Sequence, residues 1–140
     1  MYRRAIRNAK KILPDKYRLL TKRYRVLPTF LIIGAQKSGT TSLYNYLIQH
    51  PQIIGAKKKE LNYFNINYDK KINWYKYNFP TINSIKRRKA ITGEASPQYI
   101  FHPHSIPRIA KMLPNVKLIV LLRNPIDRAF SHYNHQLRAG

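Results

Sequence analysis

Residues 28–42, Pro-Thr-Phe-Leu-Ile-Ile-Gly-Ala-Gln-Lys-Ser-Gly-Thr-Thr-Ser, constrain this chain more than any other stretch. Phe30 to Ile33 make a short apolar run of strong β-formers, which predicts a buried strand. Gly34 and Gly39 bracket a loop that can turn sharply and bring its backbone close to a ligand. Thr40, Thr41 and Ser42 then open a helix that carries Leu43 and Leu47 one turn apart. A helix start has unpaired N–H groups and the positive end of the helix dipole, so this strand–loop–helix favours a bound phosphate or sulfate. Lys37 adds a full positive charge inside the loop. The remainder of the chain is read as what surrounds this anion cradle.

At 140 residues the chain fits one domain with a real core. Pro51 ends the first helix, and residues 52–54 predict a second short strand before a Gly55-Ala56 turn. Ile72, Tyr75 and Phe79 give a short helical face around Trp74. The run 86–89, Lys-Arg-Arg-Lys, reads as a solvated loop, and residues 91–97 as a strand running into a turn that Glu94 fixes. Ser105 is placed to cap the next helix, where Ile106, Ile109, Ala110 and Leu113 recur at i, i+3, i+4 and i+7. Residues 117–122, Lys-Leu-Ile-Val-Leu-Leu, are apolar with almost no alternation, the pattern of a parallel strand buried on both faces. Ile126, Phe130, Tyr133 and Leu137 form the expected buried stripe of the last helix. Strands alternating with helices give an α/β fold with a mainly parallel sheet flanked by helices. Ligands in such folds bind at the carboxyl ends of strands, where both the glycine loop and Arg123 stand.

The charge is unusual: 27 Lys and Arg face 5 Asp and Glu, for a formal net charge of +22. A field of that sign attracts nucleotides, nucleic acid, acidic glycans or anionic membrane. The abundance of Lys, Asn, Ile and Tyr also points to a composition bias that charges every solvated face. Residues 1–27 form a basic arm with ten Lys or Arg and one acid, Asp15. There Ile6, Leu13, Tyr17, Leu20 and Tyr24 suit a weakly amphipathic helix interrupted near Pro14, a lead-in to the domain at 28–140. With no Cys, disulfides, thiolate catalysis and Cys-based metal sites are excluded. No apolar run approaches the roughly 20 residues of a membrane span, and the N-terminus has no hydrophobic signal core, so the expected location is cytoplasmic.

The glycine loop is P-loop-like but departs from the nucleotide rule G-x-x-x-x-G-K-[ST]. Gly34 and Gly39 keep the spacing, but Thr40 stands where the lysine should be, and the lysine lies inside the loop at position 37. No Asp follows the strand at 117–122 to hold a metal ion. A nucleotide kinase is therefore the weakest of the enzyme readings, and a non-catalytic polyanion-binding protein is the main alternative outside enzymes. The bare residues leave roles open. Arg123 can bind an anion, cap its strand or pair with Asp127. Glu60, behind Lys57, Lys58 and Lys59, can act as a base or simply neutralise them. Ser131 can be a ligand or an ordinary serine on a helix face.

Residues 33–43, Ile-Gly-Ala-Gln-Lys-Ser-Gly-Thr-Thr-Ser-Leu, with 121–133, Leu-Leu-Arg-Asn-Pro-Ile-Asp-Arg-Ala-Phe-Ser-His-Tyr, resemble the sulfotransferase family. The likeness is to the branch of the bacterial and heparan sulfate sulfotransferases. Residues 59–64 resemble its K-E-x-x-[FY]-F segment, and 93–99 its G-E-x-[ST]-P-x-Y segment. The resemblance implies a 3′-phosphoadenosine 5′-phosphosulfate (PAPS) donor, no metal, and an alcohol or amine acceptor that can be a carbohydrate. Nucleic acid is not expected as a specific partner. It implies that Lys37, Ser38, Gly39, Thr40, Thr41 and Ser42 hold the 5′-phosphosulfate, and that Lys37 stabilises the leaving phosphate. Arg123 and Ser131 are implied as ligands of the 3′-phosphate, Glu60 as general base and Lys59 as its charged neighbour at the acceptor. Ala95 stands where the heparan-type enzymes usually carry Lys, which fits the bacterial type. The family's later glycine-rich loop has no match here, so the sheet and the donor site are expected to be incomplete.

Overall fold

The computed structural model describes residues 16–139. The predicted Ile6 and Leu13 positions of the amphipathic arm lie outside them. Strands β1 (Phe30–Gly34), β2 (Ile53–Gly55), β3 (Ile91–Ala95) and β4 (Lys117–Val120) form one sheet in the order β2-β3-β1-β4. All of its pairings are parallel. Helices α1 (Thr40–Leu47), α2 (Ile72–Lys76), α3 (Ile82–Arg88), α4 (Ser105–Met112) and α5 (Pro125–Ala139) lie between and after the strands. This is the expected α/β architecture, with β1 near the middle of the sheet.

The period of two along β1 explains its burial. Leu31 and Ile33 enter one apolar cluster with Leu61, Tyr63, Phe64, Tyr75, Phe79, Tyr99, Ile109 and Leu113. Phe30 and Ile32 enter a second with Tyr44 and Ala95. A strand whose two faces both meet a core reads as continuously apolar, as β1 does. The first cluster is largely aromatic: Tyr63 stacks on Tyr75 at 4.4 Å between ring centroids, and Phe64 meets Tyr75 and Tyr99 edge-on. Gly93 is required where β3 passes the Phe30 ring, since a Cβ there would lie 2.5 Å from three ring carbons.

Four expectations are corrected. The strand at 117–122 ends at Val120 and sits at the sheet edge, and among the described residues only one of its faces is packed. Ile119 and Leu121 pack on the second cluster, whereas Leu118, Val120 and Leu122 are exposed. The stripe Ile126, Phe130, Tyr133 and Leu137 of α5 is likewise exposed. Run 86–89 is not a loop; its first three residues form the last turn of α3. Cations there oppose the negative end of the helix dipole. Ser105 does not cap α4: it is the first helical residue, and its Oγ donates to the Phe64 carbonyl at 3.3 Å. Ahead of β1, the Arg25 guanidinium is buried and donates to the Phe79 carbonyl at 2.5 Å, which ties this end of the basic arm to the domain.

Candidate active site

The loop after β1 is held from both ends. The Ala35 amide donates to the Leu121 carbonyl at 2.9 Å, and the Ser38 amide to Ala35 at 3.2 Å. Lys37 is in the left-handed region at φ 67°, and Gly39 at φ 91° is the residue from which α1 starts. Among the described residues no side chain caps α1, and a helix start without a cap is the arrangement that receives an anion. A Cβ at Gly39 would meet only Leu121 Cδ2, at 3.9 Å, so its open side leads to the recess and its conformation explains the glycine.

A second loop, after β2, brings Lys59 and Glu60 to the same place. Glu60 is itself in the left-handed region at φ 56°. Its carboxylate lies 3.3 Å from the Lys59 ammonium, and the same ammonium donates to Thr41 Oγ1 at the start of α1. Lys59 thus links the loop that carries Glu60 to the cradle. Gln36, Lys37, Gly39, Thr40, Thr41, Glu60, Pro97, Ser131 and His135 line one recess of about 380 Å³. An adjoining recess of about 360 Å³ shares Lys37, Ser131 and His135 and adds Arg123, Asp127 and Asn134. Arg123 donates from Nη1 to the Lys37 carbonyl at 3.3 Å, so the cation at the end of β4 lies directly against the loop.

The structure therefore brings together Lys37, Gly39, Thr40, Thr41, Glu60 and Ser131, with Lys59 bridging them and Arg123 next door. Ser38 and Ser42 line neither recess: Ser42 is exposed on α1, and Ser38 Oγ is buried without a hydrogen-bond partner. Gln36 and Pro97 are lining residues that the sequence reading did not single out, and His135, which lines the recess too, reads from the sequence as a surface or packing histidine. His135 could have been found from its place one helical turn after Ser131 on α5, since residues four apart share a face.

Glu94 does not line the recess. It is fully buried and accepts from Tyr75 Oη at 2.6 Å, from Tyr99 Oη at 2.9 Å and from Ser96 Oγ at 3.0 Å. Burial pushes its carboxyl pKa up, against the pull of these donors. Burial and the nearby carboxylate also push both tyrosine hydroxyls well above their ordinary value, so they remain donors.

Comparison with known proteins agrees with this geometry. The model of the sulfotransferase domain matches residues 27–140. The chain is 41% identical over 137 residues to the membrane-associated sulfotransferase kil1 of Dictyostelium discoideum, covering 98% of this chain and 29% of that protein. It is 44% identical over 117 residues to the mouse bifunctional heparan sulfate N-deacetylase/N-sulfotransferase 4, covering 79% of this chain and 13% of that one. Among solved structures, the sulfotransferase from Alicyclobacillus acidocaldarius superposes with a TM-score of 0.62 at 36% identity, over 81% of this chain and 51% of that chain. The chain thus spans about half or less of each of these relatives. The glycine loop with its displaced lysine, the segments that meet around it and the match over residues 27–140 carry one conclusion: the chain belongs to the sulfotransferase family.

Proposed function

We propose that the chain carries the donor cradle and the base of an enzyme that moves a sulfuryl group from PAPS to a hydroxyl or amine. The observation behind this reading is that Lys37, Thr40, Thr41, Glu60 and Ser131, far apart in sequence, line one recess. The cradle fits an anionic donor: α1 has no side-chain cap, Gly39 leaves its side open and Lys37 supplies a cation. Bound PAPS supplies the sulfuryl group and a phosphate leaving group. The amides at the start of α1 and the hydroxyls of Thr40 and Thr41 bind its 5′ end. The Lys37 ammonium offsets charge on the departing oxygen. Arg123, with Ser131, takes the 3′-phosphate, for which a planar guanidinium is suited. Glu60 removes the acceptor's proton, and Lys59 holds the carboxylate toward the cradle. The heparan sulfate relatives make a sugar amine or hydroxyl the favoured acceptor class.

Isothermal titration with adenosine 3′,5′-bisphosphate, the product of the donor, tests the reading. Binding should survive removal of residues 1–15 and weaken on the order of tenfold or more in Lys37→Ala, the loss of a charged hydrogen-bond donor. Absence of binding, indifference to Lys37→Ala, or magnesium-dependent turnover of ATP would overturn it. A polyanion-binding protein would instead bind heparin with a steep salt dependence and lose that binding with residues 1–15.

A further inference from the structure

Three backbone amides of the Glu60 loop end on one short segment. The Glu60 amide donates to the Ala95 carbonyl at 3.0 Å. The Asn62 amide donates to Ser96 Oγ at 3.1 Å, and the Tyr63 amide to Tyr99 Oη at 2.8 Å. Ser96 and Tyr99 in turn donate to Glu94. Two of these three amides are therefore bound by a hydroxyl that Glu94 holds. A hydroxyl has one proton to donate. Because Glu94 takes those protons, the oxygens of Ser96 and Tyr99 are oriented to accept from the loop.

The loop needs this support. Glu60 and Asn62 are both in the left-handed region, at φ 56° and 49°, where a side chain is disfavoured. Alternate residues in that conformation turn successive amides toward one side, the nest that suits an anion. Here the amides of Glu60, Asn62 and Tyr63 meet a carbonyl and two hydroxyls of the protein instead of an anionic ligand. The spacing of Gly93, Glu94, Ser96 and Tyr99 acquires a physical reason from this: the strand delivers a carboxylate, the next turn a hydroxyl, and a further residue pair a phenol, all to one loop.

We propose that Glu94 is a positioning residue for the proposed base: its carboxylate, through Ser96 and Tyr99, holds the loop 60–63 in the strained conformation that presents Glu60 to the cradle. This rests on the reading of Glu60 given above. It assigns Glu94 no contact with donor or acceptor.

Hydrogen exchange resolved to single amides tests it on the whole chain, with two variants. Glu94→Gln keeps the shape but leaves one acceptor oxygen for the donors that now share two. Tyr99→Phe removes only the hydroxyl that takes the Tyr63 amide. Exchange at Asn62 in the first variant, and at Tyr63 in the second, should accelerate on the order of tenfold or more, while Leu31 to Ile33 of β1 stay protected. Affinity for adenosine 3′,5′-bisphosphate should stay within about twofold, because Glu94 does not line the recess. Unchanged exchange in the loop overturns the proposal. So does an equal acceleration in β1, which would make Glu94 a support of the whole fold. Failure of the wild type to bind the bisphosphate would instead overturn the donor reading, so the two are told apart on the same samples.

Discussion

On the β1–β3 side of the site, β1 is buried along its length and β3 at all but Ile91, and the amides of Glu60, Asn62 and Tyr63 are bonded to β3 and the turn after it. On the β4–α5 side, the strand is an exposed edge, and Arg123 reaches the site over solvent with one 3.3 Å bond to the Lys37 carbonyl. In sequence β1 and the run at 118–122 are about equally apolar. What separates them is neighbours: β1 lies between β3 and β4, whereas β4 has β1 on one side only. On the reading proposed above, the cradle and the Glu60 loop are pre-organised by a packed core, while Arg123 and Ser131 would be ordered as the donor binds. On that proposed reading the first side contributes positioning and the second contributes charge.

The sharpest way to break this comparison is to remove apolar side chains from each side. Leu31→Ala, in the fully buried face of β1, should cost about 2–5 kcal/mol. Leu122→Ala and Phe130→Ala, 84% and 69% exposed, should change stability by no more than about 0.5 kcal/mol. Denaturant midpoints of the three variants decide it. Comparable losses on both sides would mean that β4 and α5 are covered in solution.

Ligand binding ranks the same two sides. Lys37→Ala should weaken adenosine 3′,5′-bisphosphate by roughly ten- to a hundredfold, since its partners are fixed in place. Arg123→Ala should cost about tenfold or less, because an exposed cation is screened and must give up side-chain freedom to bind. Titration of both variants at one salt concentration checks the order. The reverse order would make the β4 side the better-formed half.

Legibility followed the same division. The strand–loop–helix at 28–42 could be read because its signals are local: β-formers, then two glycines, then hydroxyl residues and a helical leucine pair. The parallel sheet could be read from the alternation of elements. Burial of 117–122 and of the α5 stripe could not, because apolar residues state what a segment can bury and not whether anything lies against it. For the same reason, Ser105 looked like a cap: its Oγ found the Phe64 carbonyl, a partner 41 residues away. Lys37, Glu60 and Arg123 were each visible as charges in informative places. That Lys59 would tie Glu60 to Thr41 was not, since it depends on two loops meeting. Glu94 was legible as a structural carboxylate, but the loop it serves lies 31 or more residues earlier and leaves no trace in the local pattern.

The buried carboxylate also gives the well-packed side a pH signature. Burial raises the Glu94 pKa in the folded chain above its value in the unfolded one. Between the two values the unfolded chain has released the proton and the folded chain still holds it. Stability contributed by this group is therefore complete below the ordinary carboxyl range, near pH 4, and is lost as pH rises through the raised folded value. Glu94→Gln cannot titrate, so the stability difference between wild type and variant should move against the wild type as pH rises from about 4 toward neutral. Urea unfolding of both proteins across that range measures it; a difference independent of pH would show that the hydrogen bonds balance burial, and one moving toward the wild type that they outweigh it.

The smallest effect separates strain from charge at Glu60. A non-glycine residue in the left-handed region costs about 1–2 kcal/mol, and glycine there costs nothing sterically but loses about 0.5–1 kcal/mol more chain entropy on folding. Glu60→Gly should therefore be more stable than Glu60→Ala by a few tenths to about 1 kcal/mol. Both variants lose the same half-exposed pair with Lys59, worth little in water, so the difference between them reports backbone strain alone. The same exchange at Leu122, on the exposed side, should run the other way, with glycine no better than alanine. Equal stability of Glu60→Gly and Glu60→Ala would mean that the bond from the Glu60 amide to Ala95 does not hold the left-handed conformation in solution, and that the base loop is no more fixed than the segment carrying Arg123.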